Sequence, residues 1–228
     1  MNQLTSSNIF KSSLLAASIS LLAACGGGGG GSSTTYTAQP GIYAGTFDPS
    51  VGTTDMFAVI ITSNNKWAGA DPDEAATGTV SGGTLTNPYG FTATLTGTMN
   101  GTYDNGVETG TFSMVDAGIY NRTSSLAKLN GTWVENIYTT STGVTTWVIN
   151  NGAYTMTSVS GCASTGTITT IDTTKNEYAI TGTVTNCGVF NGTYSGYGFT
   201  SDGTFTDDTF EFVIDNANAY ALFAAVKP

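Results

Sequence analysis

From Tyr178 to Thr185 every second residue (Tyr178, Ile180, Gly182, Val184) is apolar or glycine, and the residues between are alanine or threonine. A period of two marks a strand with one buried face, because successive side chains leave a pleated backbone on opposite sides. Phe91, Ala93 and Leu95 alternate in the same way with Thr92, Thr94 and Thr96, and Tyr220, Leu222, Ala224 and Val226 form the last such face. Asn100-Gly101, Asn105-Gly106, Asn151-Gly152, Asn191-Gly192 and Asp202-Gly203 punctuate the runs. Such pairs accept the positive φ angles that two-residue hairpin turns require. Helix formers are scarce, and no stretch beyond Cys25 has a helical period. Each unit reads as five to seven short strands in an antiparallel meander. A meander shields its edges by curling into a small barrel or sandwich.

The pattern occurs twice. Gly41-Ile42-Tyr43 opens one unit and Gly131-Thr132-Trp133 another, an offset of 90 (131 less 41). Phe57-Ala58-Val59-Ile60 aligns with Trp147-Val148-Ile149 at that offset, and Thr77-Gly78-Thr79-Val80 matches Thr165-Gly166-Thr167-Ile168. Asn100-Gly101-Thr102-Tyr103 matches Asn191-Gly192-Thr193-Tyr194, and Phe112-Ser113-Met114 matches Phe212-Val213-Ile214. The expected architecture is all-β, two tandem copies of a small antiparallel meander forming β-barrel or β-sandwich units over residues 41–129 and 130–228. The joint, Tyr120 to Leu129, holds Arg122 and Lys128; Arg122 is expected as an exposed linker residue, with a carboxylate partner across the units as the alternative.

Ahead of the repeats, Lys11 precedes a short run of Leu, Ala, Ile and Ser from Ser13 to Ala24. The run is too short to span a bilayer and has the shape of a secretory leader. Leu22-Ala23-Ala24-Cys25 resembles the lipobox of bacterial lipoproteins. The resemblance implies a signal peptide over 1–24, cleavage before Cys25 and acylation of the new N-terminal cysteine, a stable anchor when more than one chain is attached. Gly27, two positions after Cys25, by resemblance to Gram-negative sorting rules favours the outer membrane, and residues 25–40 read as a flexible tether. Similar polyglycine tethers occur in surface-displayed lipoproteins. The joint followed by Gly-x-Trp, the cysteine pair and the Asn-Gly-Thr-Tyr turn resemble bacterial lipoproteins without an assigned activity. Gly131-Thr132-Trp133 also resembles the opening of lipocalin barrels, whose tryptophan plugs one end.

Without Lys11 the chain keeps five basic and sixteen acidic residues, a net charge of −11, and it has no histidine. So acidic a surface repels phosphate backbones, which argues against nucleic acid. The lack of histidine removes the usual neutral-pH acid/base and the commonest zinc ligand. Cys162 and Cys187 remain after Cys25 and, in an exported chain, most simply form one disulfide. Ser125-Leu126-Ala127-Lys128 matches a Ser-x-x-Lys pattern without its partner motifs and reads as coincidence. Asp71, Asp73 and Glu74, and Asp207 with Asp208, read as solvated turn carboxylates in preference to calcium ligands. Trp67, beside Lys66 in an expected hairpin, is the candidate exposed aromatic. Neither catalytic residues, a metal nor a cofactor are expected. The reading is a non-catalytic binding or docking module anchored in the outer membrane, with a lipocalin-like carrier of a small apolar ligand as the alternative. A protein or a small apolar ligand are the expected partners beside the membrane. The interior discriminates: a carrier needs an apolar cavity of some hundreds of Å³, and a docking module does not.

Overall fold

In a computed structural model, residues 2–4, 35–71, 74–137, 143–216 and 219–228 are described. Cys25, the rest of the leader and the polyglycine run lie outside them. Two eight-stranded antiparallel barrels follow one another along the chain. The first comprises β2 (Gly41–Pro49), β3 (Asp55–Ile61), β4 (Lys66–Ala70), β5 (Ala75–Ser81), β6 (Thr84–Thr86), β7 (Thr92–Leu95), β8 (Asn100–Asp104) and β9 (Thr109–Asp116). Each strand pairs with the next, and β9 closes the barrel on β2, with Gly45 opposite Met114. A one-turn helix α1 (Leu126–Leu129) lies in the joint. The second barrel runs through β10 (Gly131–Ile137), β11 (Gly143–Asn150), β12 (Ala153–Ser158), β13 (Ala163–Thr170), β14 (Tyr178–Thr185), β15 (Gly192–Ser201), β16 (Thr209–Asp215) and β17 (Ala219–Val226). Its seam is thin: among the described residues β17 pairs with β10 at Val134 opposite Val226, and the short strand β1 (Asn2–Leu4) adds in parallel beside Ala219–Ala221. Eight strands per unit correct the expected five to seven. The surplus comes from short strands such as β6, whose three residues are too few to show a period.

The turns are more selective than the Asn-Gly pairs suggested. Asn151-Gly152 is a two-residue turn with φ of 48° and 86°, the geometry that matches strand twist. Gly101 and Gly192 instead lie within strands. The Thr-Gly-Thr landmark has a different role, shared by both barrels. Gly78 sits opposite Trp67 and Gly166 opposite Tyr154, and a Cβ at either would stand 2.4 Å or 2.7 Å from the facing ring. In each barrel a glycine makes room for an aromatic ring laid across the inner wall.

Ladder register revises the repeat. Gly41 pairs with Ile61 and Gly131 with Ile149, so β3 and β11 correspond at an offset of 88 (149 less 61). Val59, not Phe57, is therefore the counterpart of Trp147. On the next strands Trp67 corresponds to Tyr154 and Gly69 to Met156. The last two landmarks fall on different strand ranks, since Asn100 starts the seventh strand of its barrel whereas Asn191-Gly192 leads into the sixth of the other.

The second barrel is filled by Trp133, Trp147, Tyr154, Tyr178, Phe210, Phe212 and Phe223. Trp133 is fully buried at the end next to the joint; its indole N–H donates to the Leu129 carbonyl at 2.7 Å and Lys227 lies 4.8 Å above its ring. Cys162 and Cys187 form a disulfide at the opposite end, across the β13–β14 hairpin. Closing that loop is worth about 3 kcal/mol in the chain-entropy picture.

A third apolar cluster joins the barrels. Ile42, Ile60, Ala68, Ala70 and Ala75, on the outer wall of the first, pack with Tyr120 against Phe199, Val213 and Tyr220 of the second. This inverts the expected burial of β17: Ala219, Ala221, Phe223 and Ala225 face inward, while Tyr220 and Leu222 meet the other barrel. Polar groups lock the same contact. The buried Glu177 carboxylate accepts from the Ser63 N–H at 2.9 Å, the Ser63 hydroxyl and the Tyr120 hydroxyl at 3.0 Å. Asp215 accepts from the N–H and hydroxyl of Thr77 at 2.9 Å and 2.8 Å.

Candidate ligand cavity

The first barrel contains a cavity of about 410 Å³. The corrected register explains it. Val59 and Gly69 stand where the second barrel has Trp147 and Met156, and Ala76 and Ala93 add little bulk. Small side chains on an inner wall leave space that the strand framework, held open by its hydrogen bonds, does not collapse to fill.

One end is closed. Tyr43, Ile61, Trp67 and Leu95 pack there with Tyr36 and the buried Ala38 from the segment before β2. That segment is pinned by the Ala38 N–H to the Gly82 carbonyl at 2.9 Å, and the Tyr43 hydroxyl donates to the Gln39 carbonyl at 2.9 Å. Trp67 corrects its expected exposure. The turn ends at Asn65, with φ of 60°, so Lys66 already begins β4 and alternation turns Trp67 inward. Trp67 is 4% exposed and its indole N–H donates to the Thr86 carbonyl at 3.0 Å.

The walls are aromatic. Phe47 and Phe57 stack with centroids 4.2 Å apart, Phe112 meets Phe57 edge-on at 6.4 Å, and Phe91 lies 5.3 Å from Trp67. The mouth is formed by the β4–β5, β6–β7 and β8–β9 loops, each shaped by its own side chain. Asp71 accepts from the Glu74 N–H at 2.6 Å, Asn87 from the N–H groups of Tyr89 and Phe91 at 2.9 Å, and Asn105 from those of Val107 and Glu108 at 2.9 Å and 2.8 Å. Val107 stands 95% exposed at this rim. Tyr220 reaches the cavity from the second barrel.

The other sequence candidates serve structure. Arg122 is not an exposed linker residue: its guanidinium pairs with both oxygens of Asp202 at 2.5 Å and 2.8 Å and with Asp207 at 3.3 Å. Lys128 pairs with Asp207 at 2.9 Å. Burial acts to raise the Asp207 carboxyl, and Lys128, Thr200 and Arg122 outweigh it to hold it below the usual carboxylate range. Asp208 is buried and accepts from the N–H groups of Gly203 and Phe205. Neither is the solvated carboxylate expected, because both organise the β15–β16 loop. Ser125 caps α1 by accepting from the Lys128 N–H, which gives the Ser-x-x-Lys spacing a helix-capping role. Asp73 lies outside the described residues.

The cavity itself escaped the sequence reading. Its trace is the density of small residues in Ala68-Gly69-Ala70 and Ala75-Ala76, which without the register reads as weak strand sequence. No protein-family model matches this chain, and none of the curated proteins or solved structures compared matches it.

Proposed function

We propose that this chain is a non-catalytic lipoprotein of the outer membrane whose first barrel carries a small apolar ligand and whose second barrel is a solid platform. The cavity carries the reading. Its volume lies within the range of small-molecule sites, its wall is apolar, and it opens at one end. A docking module needs no such void, and in the second barrel Trp147, Tyr154, Phe212 and Phe223 occupy the interior. The closed end receives the segment from the tether, so the mouth faces away from the point where the tether enters.

The test is uptake of an apolar fluorophore. N-phenyl-1-naphthylamine is expected to bind the purified chain with one saturable site and to be displaced by material extracted from it with organic solvent. Val59→Trp, which copies the filled barrel, is expected to weaken binding at least about tenfold. Ala76→Leu, a smaller change, shows the same trend if the tryptophan variant fails to fold by circular dichroism. Saturable binding unchanged in both variants would remove the cavity from the function. The anchor rests on Leu22 to Cys25, and Cys25→Ala is expected to shift the protein from the membrane pellet to the soluble envelope fraction. Retention in the pellet would sink the lipid assignment.

A further inference from the structure

We infer that the cavity selects cationic amphiphiles, an apolar body carrying an ammonium head, over anionic ones such as fatty acids. The inference rests on the ligand-carrier reading and adds the charge of the head group.

Acidic residues of the first barrel are concentrated at its mouth, with Asp116 alone among its described acids at the closed end. The strand ends and loops around the mouth carry Asp48, Asp55, Asp71, Glu74, Asp104 and Glu108. Every basic residue after Cys25 lies elsewhere. Lys66 begins β4 at the closed end, and Arg122, Lys128, Lys175 and Lys227 lie in the joint or at the end of the second barrel beside it. Of these, Arg122 and Lys128 are paired with Asp202 and Asp207, while Lys175 and Lys227 lie over the rings of Tyr120 and Trp133. Among the described residues no lysine or arginine lines the cavity, whereas Asp71 and Glu74 do. A carboxylate head would meet like charge with no cation to receive it. An ammonium head would meet opposite charge at the rim.

The wall points the same way independently. Phe47, Phe57, Trp67, Tyr89, Phe91 and Phe112 all line the space. The negative faces of aromatic rings attract cations and give anions nothing in return. The field of the rim is felt by Tyr103, whose hydroxyl pKa is raised by burial, by its hydrogen bond to Glu108, and by the charges of Glu108, Asp55 and Asp71. Asn87 and Asn105 supply the neutral polar lining, and their side-chain oxygens are occupied by loop N–H groups.

Three fluorophores sharing one apolar rod test this: diphenylhexatriene, its trimethylammonium derivative and its propionic acid derivative. Titrated into the full chain at low ionic strength and pH 7, the ammonium form is expected to bind at least about tenfold tighter than the propionate. Raising the salt concentration narrows the gap by screening the rim. Asp71→Asn with Glu74→Gln is expected to close most of the gap between the ammonium and propionate forms, each measured relative to the neutral rod on the same variant. Equal or tighter binding of the propionate, or a gap that survives the double substitution and salt, would overturn the charge selection while leaving the carrier reading intact. Failure of all three rods to bind would overturn both.

Discussion

Unfolding free energy is expected to fall by up to about 5 kcal/mol between pH 4.5 and pH 8 on account of one residue, Glu135. Glu135 is 1% exposed inside the second barrel, and among the described residues one of its carboxyl oxygens and the Trp147 indole N–H have no hydrogen-bond partner. Burial pushes its pKa up to about 8, and the nearby Trp147 N–H offsets only part of that. Between the ordinary value and 8 the folded barrel holds a proton that the unfolded chain has released. Stability from this group is therefore full below about pH 4.5 and lost as pH rises through 8. Buried Glu211 and Asp215 also have raised pKa values and add in the same direction. Asp202, held down by Arg122, acts oppositely, contributing stability above its ordinary pKa that is lost in acid. Urea unfolding at pH 5, 7 and 9 checks this. Glu135→Gln should flatten the descent and leave the variant more stable than wild type at pH 9. Parallel profiles for the two chains would show that Glu135 does not titrate in this range.

Glu177→Ala is expected to cost about 3 kcal/mol, because three donors, two from Ser63 and one from Tyr120, are left unpaired in a buried contact. The loss should fall on the contact between barrels and not on either interior, since Glu177 belongs to neither. Calorimetry is expected to resolve a single transition for wild type and two for the variant, as each barrel unfolds on its own core. Glu177→Gln keeps an acceptor and should lie between them. One sharp transition in the alanine variant, at an unchanged midpoint, would mean that the contact is held by the apolar cluster alone.

Strand content was plain in the chain, and the reason is local. The alternation of Tyr178, Ile180 and Val184 reports one buried face whatever lies opposite, and all three are buried in the second barrel. Local patterns could not say which residue stands opposite which. An offset of 90 placed Phe57 on Trp147; the ladder placed Val59 there. That two-residue difference separates a filled barrel from one with a cavity. Trp67 was misread for a related reason, as one residue in the length of the Thr62–Asn65 turn decides whether it faces water or the interior.

Arg122 shows a second limit. Its partner Asp202 is 80 residues away in sequence, and nothing in the composition of the joint distinguishes a solvated arginine from one gripped by a loop of the other unit. Tyr220 and Leu222 show a third. Their alternation marked a buried face correctly, yet that face is buried against the first barrel and the alanines between them fill the second.

What the sequence by itself determined is the part governed by neighbours along the chain: strands from the period of two, the Asn151-Gly152 turn from its positive φ, two units from recurring landmarks. The cavity, the acidic mouth and the buried contact between barrels were decided only by the tertiary structure. Each depends on register and closure, which bring residues from distant strands onto a common wall, and hydrogen bonding between strands is indifferent to the size of the side chains it aligns.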